Sequence, residues 1–120
     1  MIPRVILHNA VSLDSRIDWF TPNVGLFYEL ASHWKEDATL VGCDTLLQAQ
    51  EEEQSLKDNR DSEDTPKENY VDTRPLLVVP DSRGRIRNWL LWRKQPIWRE
   101  VLVLCSRSTP KDYLDYLIKI

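Results

Sequence analysis

The stretch Arg74-Pro75-Leu76-Leu77-Val78-Val79-Pro80-Asp81-Ser82-Arg83-Gly84-Arg85 decides the fold class. Leu76 to Val79 is an apolar run that reads as a strand, and Pro80 with the turn residues Asp81-Ser82-Arg83-Gly84 closes it. Toward the carboxyl terminus, Val101 to Cys105 reads as another strand. Thr109-Pro110-Lys111-Asp112 then carries helix-start signals: a capping hydroxyl, a proline and an early acid. Leu114, Leu117 and Ile118 mark the apolar face of that helix. Toward the amino terminus, Ala38 to Val41 reads as a short strand that runs into the turn Gly42-Cys43-Asp44-Thr45, and a short helix follows through Leu46, Leu47 and Gln50. Val5 to Val11 has little alternation at its start, as expected for a strand covered on both faces. Thr21-Pro22 reads as the cap and first residue of a helix. Its buried face is expected at Val24, Phe27, Leu30, Ala31 and Trp34. Four strands alternating with helices predict an α/β domain with a mostly parallel sheet and flanking helices.

The chain has 120 residues, the length of one ordinary domain. Its net charge of −3 is unevenly spread. Glu51 to Glu68 holds eight acids against three bases and so carries −5, which leaves the rest at about +2. That remainder is too weak to argue for nucleic-acid binding by bulk charge. The acidic stretch, from Glu51 to about Asn69, has almost no apolar residues and no period, and is read as a solvated or disordered spacer within a single domain. The apolar runs fall far short of the ~20 residues needed to span a bilayer, and no cleavable leader is visible. The two cysteines, Cys43 and Cys105, lack pairing or metal-ligand spacing. Reduced thiols in a cytoplasmic protein are expected rather than a disulfide or a zinc site. The last helix ends at Lys119-Ile120 without a glycine cap or a following strand, so the sheet is expected to be incomplete at the carboxyl terminus.

In open α/β sheets, ligands bind beyond the carboxyl ends of the strands. Those exits are Ser12-Leu13-Asp14-Ser15-Arg16, Gly42-Cys43-Asp44-Thr45, Asp81-Ser82-Arg83 and Ser106-Arg107-Ser108. Hydroxyls, arginines and helix starts at such exits suit a phosphate-bearing ligand. The three glycines (Gly25, Gly42 and Gly84) encode no phosphate-cradling loop. GxGxxG, GxxxxGK[ST] and HExxH are all absent. His8 reads as a core or site-lining imidazole rather than a metal ligand, and His33 as solvent-facing near a helix end. Trp89, Trp92 and Trp98 are interleaved with Arg87, Arg93, Lys94 and Arg99. Such a segment can stack nucleobases, but with Leu90 and Leu91 among them, packing of a long connection against the sheet edge is the favoured expectation.

Three motifs in order resemble those of the riboflavin-biosynthesis reductases, the reductase domain of the bifunctional deaminase–reductase and its stand-alone relatives. Pro3 to Ile17 resembles that family's opening strand and "SLDG(K/R)I" loop, with Ser15 where the family has glycine. Asp37-Ala38-Thr39-Leu40-Val41-Gly42-Cys43-Asp44-Thr45-Leu46-Leu47 is similar to "DAVLVGAGTVL", with Ala49 where the family places an aspartate. Arg74 to Arg85 is similar to "RPLRVVLDSRGR". The resemblance implies a dihydrofolate-reductase-like fold and NADPH-dependent reduction of a 5-phosphoribosylaminopyrimidine to its ribitylamino form. A homodimer is implied where the full domain is present. It implies cofactor contacts at Ala10, Val11, Trp19, Thr45 and Ser82, and substrate contacts at Ile17 and His33. No catalytic acid and no metal ligand are assigned. The alternative is a non-catalytic nucleotide-binding module derived from such a reductase.

Overall fold

The computed structural model describes residues 2–54 and 72–120, the side chains of 50–54 excepted. Most of the expected acidic spacer therefore lies outside the described residues. The chain forms two compact units, residues 1–36 and 37–120.

In the first unit, Val5 to Val11 forms no strand. Val5, Leu7 and Val11 are exposed. The apolar composition was sufficient to suggest a strand, but a strand exists only where a neighbour completes its ladder. Ser12 to Arg16 closes a turn in which the Ser12 N–H donates to the Arg16 carbonyl at 2.9 Å. Ser15 sits there at φ +64°, in the left-handed region that glycine enters freely and other residues rarely adopt. Helix α1 spans Val24–Ser32 and is capped by Asn23, whose Oδ1 accepts from the Leu26 N–H at 3.0 Å. The cap is thus Asn23 rather than Thr21, and Pro22 precedes the helix. The expected buried face is not buried: Phe27 and Ala31 are half-buried, while Val24, Leu30 and Trp34 are exposed. A single three-turn helix encloses no core of its own. Phe27 instead packs against His8, with ring centroids 4.4 Å apart and the imidazole Nε2 3.1 Å from the Phe27 carbonyl oxygen.

The second unit is a mixed α/β fold. Its strands are β1 (Ala38–Leu40), β2 (Leu76–Pro80) and β3 (Glu100–Leu104). They form a parallel sheet in the order β1-β2-β3. Among the described residues three strands thus stand where four were expected. Between them run α2 (Cys43–Gln54) and α3 (Trp89–Arg93), and α4 (Lys111–Lys119) follows β3. Helix α2 begins at Cys43, inside the expected turn, and continues through Glu51–Gln54, which were read as loop.

Register fixes the two faces of the sheet. Thr39 pairs with Leu77 and Leu77 with Val101, whereas Leu40 pairs with Val78 and Val78 with Leu102. Leu77 and Val79 lie fully buried in a core with Leu46 of α2, Ile86, Trp89 and Trp92 of α3, and Trp98. Tyr116 and Leu117 of α4 pack against the same core. The helices therefore cover one face. On the other, Leu40, Leu102 and Leu104 are exposed. The tryptophans of the basic segment are core residues, buried over the face of the sheet with Leu77 and Val79 of the central strand rather than along its edge as expected, and their faces are closed to stacking. In α4 the buried anchor is Tyr113, while the expected face residue Ile118 is 83% exposed.

Candidate functional site

Because the three strands are parallel, their carboxyl ends share one edge of the sheet, and each exit is polar. Strand β1 leads through Gly42 into the first turn of α2. Strand β2 leads into the turn Asp81–Gly84. Strand β3 leads through Ser106-Arg107-Ser108 to Thr109, whose Oγ1 accepts from the Ser106 N–H at 2.9 Å ahead of α4.

The centre of this edge is Asp81, a carboxylate only 2% exposed. Its Oδ1 accepts from the Arg85 N–H and its Oδ2 from the Ile86 N–H, both at 2.9 Å. The Tyr113 hydroxyl donates to Oδ2 at 2.7 Å and the Cys43 thiol to Oδ1 at 3.6 Å. Trp89 Nε1–H in turn donates to the Tyr113 oxygen at 2.8 Å. The exit of β2, α2 and α4 thus meet at one buried acid, and α3 reaches it through Tyr113. Burial alone would raise its pKa, but the Arg85 and Ile86 N–H groups, Tyr113 and Cys43 outweigh that and hold it below the ordinary carboxylate range. The same geometry pushes its donors the other way. Burial and then the neighbouring Asp81 raise the Cys43 thiol, and burial followed by donation to Asp81 raises the Tyr113 hydroxyl. Cys43 is therefore a weakly reactive thiol.

On the solvent side, the Arg85 guanidinium pairs with Asp44 in the first turn of α2, joining the exits of β1 and β2. Ser82 and Arg83 of the β2 exit and Arg107 of the β3 exit are exposed. Among the described residues no group of three or more His, Cys, Asp or Glu side chains could hold a metal ion. An open cavity of about 350 Å³ lies elsewhere, toward the amino end of β3, lined by Trp89, Arg93, Glu100, Val101, Val103, Leu117 and Ile120.

Of the residues singled out from sequence, Thr45 and Ser82 come to this shared edge, both exposed. Ala10, Val11, Ile17, Trp19 and His33 belong to the first unit. Ala10 is half-buried there and the other four are exposed, with the Arg16 guanidinium 5.5 Å from the Trp19 ring. Sequence reasoning missed Asp81 as a hub, and missed Cys43, Arg85 and Tyr113 as its shell. The turn signal at Gly84 pointed to the place, but nothing in the spacing pointed to Tyr113.

No protein-family model matches the chain, and neither does any curated protein or solved structure. Among the described residues no helix is long and apolar enough to cross a membrane. The class that stands is a mixed α/β protein with a parallel sheet and a polar carboxyl edge.

Proposed function

We propose that the chain is an NADPH-binding protein of the riboflavin-biosynthesis reductase type, acting on a phosphoribosylaminopyrimidine. The observation that carries this reading is the shared sheet edge, where Thr45 and Ser82, the two positions that the resemblance gives to the cofactor in this unit, lie at the two strand exits joined by the Asp44–Arg85 ion pair. The donors there suit phosphate: the N–H groups opening α2, two exposed hydroxyls, and the guanidinium groups of Arg83, Arg85 and Arg107. NADPH, when bound, supplies the hydride that reduces the sugar carbon. The role of this chain's residues is to hold the phosphates and orient the nucleotide. Thr45 and the start of α2 bind one phosphate group, and Ser82 binds on the adenosine side. Ala10, Val11 and Trp19 are assigned to the cofactor and Ile17 and His33 to the substrate on the resemblance alone.

A second reading, a nucleotide-binding module without turnover, is favoured by one observation. Asp81 and Tyr113, two protonatable groups at this edge, are buried and spent on hydrogen bonds to each other and to their neighbours, so neither is free to deliver a proton.

Titrating the whole chain with NADPH, and reading energy transfer from tryptophan to the dihydronicotinamide, tests the binding. Saturable binding in the micromolar range, weakened by Thr45→Val and by Ser82→Ala, is expected. A folded chain that shows no saturation, or variants that bind like the wild type, would overturn the reading. Oxidation of NADPH in the presence of the phosphoribosylaminopyrimidine separates the reductase from the binding module.

A further inference from the structure

We propose that Tyr113 is a positioning residue for the turn that carries Ser82, holding it in shape from behind through Asp81. This rests on the reading of the sheet edge as a nucleotide site, to which it adds a residue that touches no ligand.

The turn leaves β2 at Asp81, and the Gly84 N–H returns to the Asp81 carbonyl at 3.3 Å. The Asp81 carboxylate then takes the N–H groups of Arg85 and Ile86, so the backbone on both sides of Ser82 and Arg83 hangs on one side chain. A carboxylate this deeply buried holds such a turn only if its remaining acceptor sites are also satisfied. Tyr113 satisfies one, and the direction of that bond is fixed. The hydroxyl oxygen already accepts from Trp89 Nε1–H, which leaves its one hydrogen for Asp81. The ring does a second job. An ideal Cβ on Gly84 would lie 2.6 Å from Tyr113 Cγ, so the turn rests directly on the ring. The chain after the turn is held to the same helix: the Arg87 guanidinium lies 5.1 Å from the Tyr113 ring and 5.4 Å from the Tyr116 ring and pairs with Asp112, while the Tyr116 hydroxyl donates to the Arg87 carbonyl. Helix α4 is thus a backing plate for residues 81–87, and Tyr113 is its contact with the carboxylate.

The groups facing Asp81 are Cys43 from α2, Arg85 from the turn and Tyr113 from α4, with Asp44 acting on Arg85. Removing the hydroxyl alone should therefore let Asp81 protonate at higher pH and release the turn.

The test compares the full chain with Tyr113→Phe, which keeps the ring, and with Tyr116→Phe, which loses a bond from the same helix but spares Asp81. Amide resonances of Arg85 and Ile86 are followed from neutral to acid pH, and NADPH affinity is measured on the folded proteins. The midpoint for loss of the native amide shifts is expected to move to higher pH in Tyr113→Phe only, and NADPH affinity to fall about tenfold in the same variant. An unchanged midpoint overturns the proposal, and so does a shift of equal size in Tyr116→Phe. Unchanged NADPH affinity in a folded Tyr113→Phe whose wild type binds overturns it as well. A wild type that binds no NADPH removes the cofactor reading, and the midpoint alone then decides the role of Tyr113. If Tyr113→Phe does not fold, hydrogen exchange on the wild type decides. Strong protection of the Arg85 and Ile86 amides that collapses on acidification supports the proposal, and unprotected amides at neutral pH overturn it.

Discussion

Gly84 and Tyr113 share one volume: the turn residue sits at φ +70° with its α-carbon against the aromatic ring, and a methyl group there would lie 2.6 Å from Cγ and 2.9 Å from Cβ of Tyr113. Both the backbone conformation and the contact exclude a side chain. Gly84→Ala is expected to cost about 2–4 kcal/mol, from left-handed strain together with overpacking. Gly42→Ala meets no heavy atom within 4 Å and is expected to be nearly neutral. Urea unfolding of the two variants checks this, and equal losses would mean that the ring does not back the turn.

Asp81 sets the response to acid. Its folded pKa lies below its ordinary value of 3.8, so the stability it contributes is fully present above that value and is lost as pH falls through the lower folded one. Asp81→Asn is expected to lose about 2–3 kcal/mol at neutral pH, since the carboxylate accepts two backbone donors and a phenol. The gap between variant and wild type should close on acidification below pH 3.8. A gap that is independent of pH would show that the charge is not used.

Tyr113 sets the response to base. Its folded pKa is raised above 10.0, so its contribution is present below that pH and is lost as pH rises through the folded value. The absorbance titration of Tyr113→Phe subtracted from that of the wild type isolates this group. The difference should ionise well above pH 10.0, and its midpoint should fall to the ordinary value in urea. An ordinary midpoint in the folded protein would mean that the hydroxyl is solvated.

The legible parts of this fold are those with local signatures. Leu76 to Val79 is an apolar run bounded by Pro80 and Gly84, and β1, β3 and α4 have comparable boundaries. Helix α3 was not legible, because five residues show too little of a helical period and Asn88 contributes no side-chain cap. Val5 to Val11 misled for the opposite reason, since its composition is that of a strand but no strand among the described residues pairs with it. The exits of β1 and β2 pointed to Thr45 and Ser82. Asp81 showed only as a turn residue, because two of its side-chain partners, Tyr113 and Cys43, lie 32 and 38 residues away. Tyr113 itself was hidden behind its neighbours: a stripe through Leu114, Leu117 and Ile118 looks apolar enough, and the phenol is preferred for the acid it meets.

The two indoles of α3 differ in one bond. Trp89 Nε1–H reaches the Tyr113 oxygen, whereas the buried Trp92 Nε1–H has no acceptor among the described residues. Replacement by phenylalanine removes a similar volume at each site but breaks a hydrogen bond only at Trp89. Trp89→Phe is therefore expected to be worse than Trp92→Phe by about 1 kcal/mol. Thermal unfolding decides, and the reverse order would place the needed donor on Trp92.

The sheet itself supplies the last prediction, because neighbouring residues on β1 and β2 face opposite ways. Leu77 points into the core and is fully buried, while Leu40, whose ladder partner is Val78, is 71% exposed on the opposite face. Parallel sheets ordinarily carry cover on both faces, so the exposure of Leu40 together with Leu102 and Leu104 is unusual. If only the helix-covered face holds the unit together, Leu77→Ala should cost about 2–5 kcal/mol. Leu40→Gln should then stay within about 0.5 kcal/mol of the wild type. Urea midpoints of the two variants at neutral pH test this contrast. A loss for Leu40→Gln approaching that of Leu77→Ala would mean that the second face is also buried in the folded chain, and that the stability of the sheet rests on both of its surfaces.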